Sequence, residues 1–414
     1  MLPLKRRIFF KKIFEKIPTP FYFYIADEIR KRISLLLRNF SPQIEIFFSF
    51  KANSNLEILK IIRKGKCGAD ISSLGELFLA KKSGFKGEDI VFAGPGKKEK
   101  EIEEAIKENI FSINAESLTE LKRINSISEK FKKKTRVALR INPTPSSQNS
   151  ALLKMGKRET QFGIPEEILF EKKFIKEISS LKHINIEGIH LFSGTQILCP
   201  KEILDNFKYA VSLAKKLSQF FPINFIDFGG GFGVPYDYLK EHTLDINILS
   251  QGLKDILRKD PFLTKKRIIF ELGRFIVAES GVFVTKVVDV KTCRRKKFAV
   301  LDGGINNLLR VSFLRENHPV INFSRTSKKE KFTLVGPLCT PLDILGEDVK
   351  LSSPKIGDLI GILNAGAYGF SESMPYFLSH LICGEYLYDE KKVFVIREPL
   401  SFQKYLKFCK KRIL

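Results

Sequence analysis

Apolar, β-branched runs recur along the first two thirds of the chain, each followed by polar or glycine residues and then by a stretch with helical hydrophobic period. Eight such runs centre near Ile46, Ala69, Val91, Ile113, Ala138, Ile189, Ile226 and Ile269. Amphipathic patterns over 55–63, 74–82, 98–108, 118–131, 165–181, 201–220 and 246–258 lie between them, with one more over 26–38 ahead of the first run. Parallel neighbours need a helical crossover, so this alternation predicts βαβ units, and eight in succession predict an α/β fold closed as a (β/α)8 barrel of the TIM type. After about Ala278 the pattern changes. Short strands over 282–290, 298–301, 320–323, 332–335, 359–363 and 393–396 follow without comparable helices, separated by turn signals such as Asp302-Gly303-Gly304 and Ile356-Gly357-Asp358. We therefore expect an N-terminal segment over 1–20 that packs on the second domain, a barrel over 21–278, and a mostly-β domain over 279–414.

Chemistry in such a barrel gathers at the carboxyl ends of the strands. Lys51 follows strand one, Asp70 and Ser72 strand two, Arg140 strand five, and His190 with Gly194-Thr195-Gln196 strand six. Gly229-Gly230-Gly231 follows strand seven, and Glu271 with Gly273-Arg274 follows strand eight. In the run 44–53, Ile44, Ile46, Phe48 and Phe50 alternate with Glu45, Phe47 and Ser49, so Lys51 is expected where a mostly buried strand opens into a loop. Partial desolvation there lowers a lysine's pKa and favours the free amine that Schiff-base chemistry needs, although a strand-end lysine also snorkels to solvent. Glycine loops after strands seven and eight let backbone N–H groups approach phosphate oxygens closely, and they serve equally as tight turns. The spacing of Gly229-Gly230-Gly231-Phe232-Gly233 is not that of a dinucleotide fingerprint.

Composition narrows the classes. The 414 residues carry a formal charge of +25, 43% apolar residues, six cysteines and five histidines. The cysteines are widely separated and form no Cys-x-x-Cys pair, which argues against a structural zinc site or a disulfide framework; no metal is expected. No apolar run approaches a membrane span and the start has no signal-peptide pattern, so a cytoplasmic location without membrane contact is expected. The positive charge suits an acidic partner, and it suits equally a Lys-rich compositional bias; no nucleic-acid motif accompanies it, and no nucleic-acid partner is expected.

Nine motifs in order resemble the fold-type III pyridoxal-phosphate decarboxylases, the group of diaminopimelate, ornithine and arginine decarboxylases. They are Phe-Ser-Phe-Lys-Ala-Asn at 48–53, Gly-Ala-Asp-Ile-Ser-Ser-Leu-Gly-Glu-Leu at 68–77, Phe-Ala-Gly-Pro-Gly-Lys at 92–97 and Leu-Arg-Ile-Asn-Pro at 139–143. Then come Gly-Ile-His-Leu-Phe-Ser-Gly-Thr-Gln at 188–196, Asp-Phe-Gly-Gly-Gly-Phe-Gly at 227–233, Glu-Leu-Gly-Arg-Phe-Ile-Val-Ala-Glu at 271–279, Gly-Pro-Leu-Cys at 336–339 and Gly-Ala-Tyr-Gly at 366–369. The resemblance implies a PLP-dependent amino-acid decarboxylase with pyridoxal 5'-phosphate as cofactor, carried covalently by Lys51, and a homodimer with shared active sites. It implies that Glu271 faces the pyridine nitrogen, and that Thr195, Gly230, Gly231, Gly273, Arg274 and Tyr368 hold the phosphate. Asp70, Glu76 and Arg140 would order the surroundings of the lysine and cofactor. Cys339 of the partner subunit would return a proton to the decarboxylated carbon, and Arg310, Thr340 and Tyr368 would meet the substrate. Plainer roles exist for Cys339 as a small buried side chain, Tyr368 as a core hydroxyl and Arg310 as a surface charge.

The chain departs from the diaminopimelate pattern in specific places. Phe192 stands where a second histidine usually stacks on the cofactor ring; an aromatic face still stacks, but a titratable contact is lost. Thr340, in Cys339-Thr340-Pro341-Leu342-Asp343, stands where a glutamate usually reads the distal end of the substrate. Together with Lys154-Met155-Gly156, Gln161-Phe162-Gly163 and Phe377-Leu378-Ser379-His380, this resembles a branch found in biosynthetic clusters, some of whose members decarboxylate an aminoacyl group tethered to an acidic acyl-carrier protein. The readings are thus a decarboxylase of a free or carrier-linked amino acid, a genuine meso-diaminopimelate decarboxylase, a racemase, and a non-catalytic regulatory homologue. The motifs at 336–339 and 366–368 disfavour the racemase, and retention of Lys51, Glu271, Arg274 and Cys339 disfavours the regulatory protein.

Overall fold

Eight parallel strands close on themselves in chain order: Ile44–Ser49, Gly68–Ile71, Ile90–Phe92, Ser112–Ala115, Thr135–Asn142, Ile184–His190, Phe225–Asp227 and Arg267–Leu272, the last pairing with the first. The expected barrel is therefore present, with every strand where the hydrophobic runs put it. This computed structural model describes residues 4–40, 42–144, 160–192 and 194–407. Lys154-Met155-Gly156, Ser193 and Cys409 lie outside the described residues. One compact unit takes Arg30–Val234 and His242–Ile276; the other takes the chain up to Ile29, Pro235–Glu241 and the chain from Val277 onward.

Alternation within the strands sets what faces inward. Phe47, Val91, Phe111, Ala138, Phe225 and Ile269 cluster as an apolar core. Two of these rings fit only because their neighbours are glycines: a Cβ on Gly68 would lie 2.6 Å from the Phe47 ring, and one on Gly188 would lie 2.3 Å from the Phe225 ring. Side chains thus fill the interior of the barrel. The crossover helices start on side-chain caps. Asn55 accepts from the Glu57 N–H ahead of Leu56–Lys64, Ser73 from the Glu76 N–H ahead of Leu74–Lys82, and Ser117 from the Glu120 N–H ahead of Leu118–Lys130. The pattern over 165–181 resolves into two helices, Glu166–Leu169 and Lys172–Ser179, because Glu171 is extended between them.

The second unit is a sheet ordered Ile344–Ser352, Lys329–Val335, Lys296–Leu301, Gly281–Cys293, Phe21–Ile25, Gly384–Asp389 and Lys392–Arg397, with Leu359–Ile362 also paired to Gly281–Cys293 and Val320–Asn322 paired to Leu359–Ile362. Phe21–Ile25, which the sequence places inside the barrel segment, pairs instead antiparallel with Gly281–Cys293 and parallel with Gly384–Asp389. The physical reason is its composition: all five residues are buried, and Phe21 and Phe23 join Phe10, Phe14, Val282, Val284 and Phe323 in one aromatic-rich core. Helix Leu4–Phe14 contributes Phe10 and Phe14 to that core. Strands Ile344–Ser352 and Gly384–Asp389 were not expected, since each carries charged or polar residues that dilute the apolar run. Among the described residues no helix is long and apolar enough to cross a membrane.

Candidate active site

Lys51 sits on a single 3-10 turn, Phe50–Ala52, directly after the first barrel strand. Phe50 and Ala52 are buried on either side of it, Phe50 against Phe48 and Phe85, so the turn is anchored while the lysine projects. Its side chain is 44% exposed, and its Nζ lies 3.6 Å from Asp70 Oδ2 and 5.7 Å from the centre of the Phe192 ring. The side chain is thus partly covered and partly open to solvent, with a counter-ion and an aromatic face beside it.

Around it lies a cavity of 430 Å³ lined by Ser72, the loop 93–97, Arg140, Phe162, His190, Phe192 and Glu271. Asp70 is buried behind Lys51, and burial followed by the Glu271 charge pushes it up to about 6, against the pull of Lys51. Glu76 reaches back to accept the Ser72 N–H at 2.6 Å. Arg140 donates to Glu116 at 2.6 Å and stacks 4.6 Å over the Phe162 ring. Glu271 is buried, with His190 Nε2 3.3 Å from its Oε2 and its Oε1 without a hydrogen-bond partner. Burial alone would raise its pKa, but the charge and hydrogen bond of His190, with Lys51 and Asp227, hold it down to about 2, an acceptor-ready carboxylate.

The loops after strands six, seven and eight are fastened together. Ile197 N–H donates to Gly231 O at 2.8 Å, Gly233 N–H to Ile197 O at 2.9 Å, and Glu271 N–H to Gly229 O at 2.6 Å. Their closeness excludes side chains: a Cβ on Gly230 would fall 1.8 Å from Glu271 O, and one on Gly231, at φ +95°, would fall 2.4 Å from Gly194 O. Gly273 packs against the lysine turn, where a Cβ would meet that of Ala52 at 2.7 Å. Thr195 is exposed on the same loops, and Arg274 opens the short helix Arg274–Val277.

The first unit thus brings together Lys51, Asp70, Glu76, Arg140, Phe192, Thr195, Gly230, Gly231, Glu271, Gly273 and Arg274. Arg310, Cys339, Thr340 and Tyr368 belong to the second unit. There Arg310 is buried, stacked 3.9 Å over the Tyr236 ring and paired with Glu316 at 2.9 Å, so it is not a surface charge. Cys339 is exposed, not a buried apolar filler, and Tyr368 holds a left-handed φ of +56°. Sequence reasoning missed three residues that organise the mouth. Glu116 receives Arg140 and the N–H groups of Gly94 and Gly163, the latter two at 2.9 Å. Lys97 is buried and bonded to Glu120 and to the carbonyls of Gly94 and Asn114, each at 2.8 Å. Asp227 lies beside His190 and Glu271, their donor atoms within 4.8 Å of one another. That spacing also suits a metal ion, but these groups are already engaged, Glu271 with His190 and Asp227 with Asn114 and Gly229. All three missed residues sit at or just beyond strand ends, so the rule that found Asp70 and Arg140 reaches them too.

An amine, a buried carboxylate with a bare oxygen, and a glycine cradle at the strand ends of a (β/α)8 barrel define a pyridoxal-phosphate enzyme of the barrel class. The parts fit that group: Lys51 for its aldehyde, Glu271 Oε1 for a protonated ring nitrogen, and the loops at Thr195, Gly230, Gly231 and Arg274 for its phosphate. The chain belongs to the pyridoxal-dependent decarboxylases, since the family model "Pyridoxal-dependent decarboxylase, pyridoxal binding domain" matches residues 26–278. It is 38% identical over 379 residues to L-glutamyl-[BtrI acyl-carrier protein] decarboxylase of Niallia circulans, covering 88% of each chain. It is 35% identical over 368 residues to diaminopimelate decarboxylase of Aquifex aeolicus, covering 88% of this chain and 86% of that one. The crystal structure of diaminopimelate decarboxylase from M. jannaschii with L-lysine superposes with a TM-score of 0.90 at 27% identity, covering 97% of this chain and 94% of that one. The protein is a PLP-dependent amino-acid decarboxylase.

When bound, pyridoxal 5'-phosphate supplies an electron sink for the pair released as carbon dioxide departs. The residues arrange the rest. Glu271, held as an anion beside His190, would stabilise positive charge placed against its carboxylate. Asp70 holds the Lys51 ammonium in line with the cavity, and Phe192 closes one side of it with an apolar face that excludes water.

Proposed function

We propose that the substrate is an aminoacyl group whose distal end carries no charge to be neutralised, such as a glutamyl group joined through its side-chain carboxyl to an acyl-carrier protein, and that the enzyme works as a homodimer in which Cys339 of the partner subunit acts as the acid. Such a linkage leaves the α-amine and the α-carboxylate free, as decarboxylation requires. The observation that carries the reading is the turn Leu338 to Asp343. Its single acid, Asp343, is 2% exposed and fully engaged, Oδ1 accepting the Ile305 N–H at 2.8 Å and Oδ2 the Leu338 N–H at 2.7 Å. Gly304 and Gly336 close on that carboxylate so tightly that a Cβ on either would lie 2.4 Å from it. Thr340 offers only a hydroxyl, which accepts the Leu342 N–H at 3.3 Å. The segment therefore presents no carboxylate to a distal ammonium group. The 38% identity to a carrier-linked glutamyl decarboxylase and the +25 charge, suited to an acidic carrier, support the same reading.

The diaminopimelate decarboxylases at similar identity favour the alternative, and one panel separates the two. Carbon dioxide release is measured from meso-diaminopimelate, free glutamate and a glutamyl-loaded carrier, with wild type and Thr340→Glu. The loaded carrier should exceed diaminopimelate by about 100-fold in kcat/KM, the cost of leaving a charged group unpaired, and Thr340→Glu should narrow that gap. Efficient wild-type turnover of diaminopimelate overturns the proposal.

A further inference from the structure

Asp227 ends the seventh barrel strand between two residues already placed at the cofactor's end of the site: His190 is its register partner on strand six, and Ile269, two before Glu271, on strand eight. It is wholly buried. One of its oxygens accepts the Asn114 amide at 3.0 Å from across the barrel, and the other accepts the Gly229 N–H at 3.1 Å. Its carboxyl stands in the same buried cluster as that of Glu271 and the ring of His190, the ligand atoms of the three lying within 4.8 Å of one another. Two buried carboxylates this close repel one another when both are ionised, which favours one proton held by the pair.

We propose that Asp227 is a positioning residue that stays a neutral carboxylic acid and donates its proton in a hydrogen bond to Glu271, so that Glu271 is held as an oriented carboxylate in the wall of the cavity. The groups facing the pair divide them in this sense. Glu271 has His190 at 3.3 Å and Lys51 nearby, both favouring its charge. Asp227 accepts from the neutral donors of Asn114 and Gly229 and lies within 4.8 Å of the histidine that bonds Glu271, while its burial and the Glu271 charge push it well above the ordinary carboxylate range. Asp70 adds a further negative neighbour to Glu271. A carboxylic acid behind Glu271 anchors it without adding a second negative charge to the site. A metal-like arrangement of three ligands is thereby explained as a proton-sharing pair braced by a histidine.

The test reads the cofactor-free full chain first. At about pH 8, above Asp70 and Glu76, the infrared spectrum of wild type should show a protonated carboxyl stretch that disappears in Asp227→Asn. The second reading is pyridoxal 5'-phosphate affinity. Asp227→Leu, which fills the space without a donor, should weaken it about tenfold. Asp227→Asn keeps a donor toward Glu271, since the Asn114 amide, whose Oδ1 is unpartnered, can turn to accept from the new amide, and it should recover most of that loss. Identical infrared spectra for wild type and Asp227→Asn overturn the proposal, as does an Asn variant that binds the cofactor no better than the Leu variant. Should Asp227→Leu fail to fold, the infrared comparison, which needs only wild type and Asp227→Asn, decides the matter alone.

Discussion

Glu76 shows how a single side chain at this site couples folding to pH. Burial drives its carboxyl up to about 7, against the pull of the Ser72 N–H and with the push of the Asp70 charge. An unfolded glutamate titrates near 4.3, so between about pH 4 and pH 7 the folded chain binds a proton that the unfolded chain has released. Stability from this group is therefore complete below the unfolded value and is lost as pH rises through about 7. Glu76→Gln keeps an acceptor for Ser72 and removes the titration. Urea unfolding of the cofactor-free protein should show wild type losing stability between about pH 5 and pH 8 by on the order of 1–3 kcal/mol more than the variant. Parallel curves for the two proteins would place an ionised carboxylate at Glu76 throughout and sink the assignment.

At the scale of elements, the cradle depends on backbones that touch. Gly230 lies so close to Glu271 O, at 1.8 Å for an added Cβ, that Gly230→Ala must push strand seven's loop away from strand eight. Thermal unfolding should register a loss of about 3 kcal/mol, and cofactor binding should fail with it. Gly75→Ala is the control: it lies in helix Leu74–Lys82, its Cβ meets nothing nearer than Ser73 Oγ at 3.8 Å, and it should stabilise by up to about 1 kcal/mol. If both substitutions destabilise alike, the contact at Gly230 is not what holds the loops. This element shows what was legible beforehand. The order Gly229-Gly230-Gly231 was plain in the sequence, and so were all eight barrel strands, because parallel buried strands are continuous apolar runs. What the sequence did not disclose was partnership. Phe21–Ile25 reads as a strand anywhere, and only its neighbours assign it to the other sheet. Asp227 and Glu116 read as ordinary strand-end acids until their partners are known, and the pairing of buried Arg310 with Glu316 and Tyr236 has no local signature.

For the whole molecule the open matter is where the proton for the product comes from. Among the described residues, the ionisable groups lining the cavity at the barrel mouth are Lys51, Lys97, Arg140, His190 and Glu271, with no cysteine. Lys97 is held by three hydrogen bonds and Glu271 is an anion, so neither is a ready acid. Cys339 is an exposed thiol on the second unit, whereas Cys67 and Cys383 are buried and pushed up to about 12, too weakly acidic to contribute. If two copies share sites as proposed, Lys51 and Cys339 of one functional site come from different chains. Lys51→Ala and Cys339→Ala homodimers are each inactive or nearly so, yet exchanging their subunits produces heterodimers with one intact site and one doubly defective site. With random pairing, half the dimers are mixed and carry one working site of two, so activity should recover to about one quarter of wild type. The expected gain is measured as carbon dioxide release after mixing, dissociation and reassembly. A mixture that stays at the level of the separate variants would mean that Lys51 and Cys339 act within one chain, and the dimeric site would have to be abandoned.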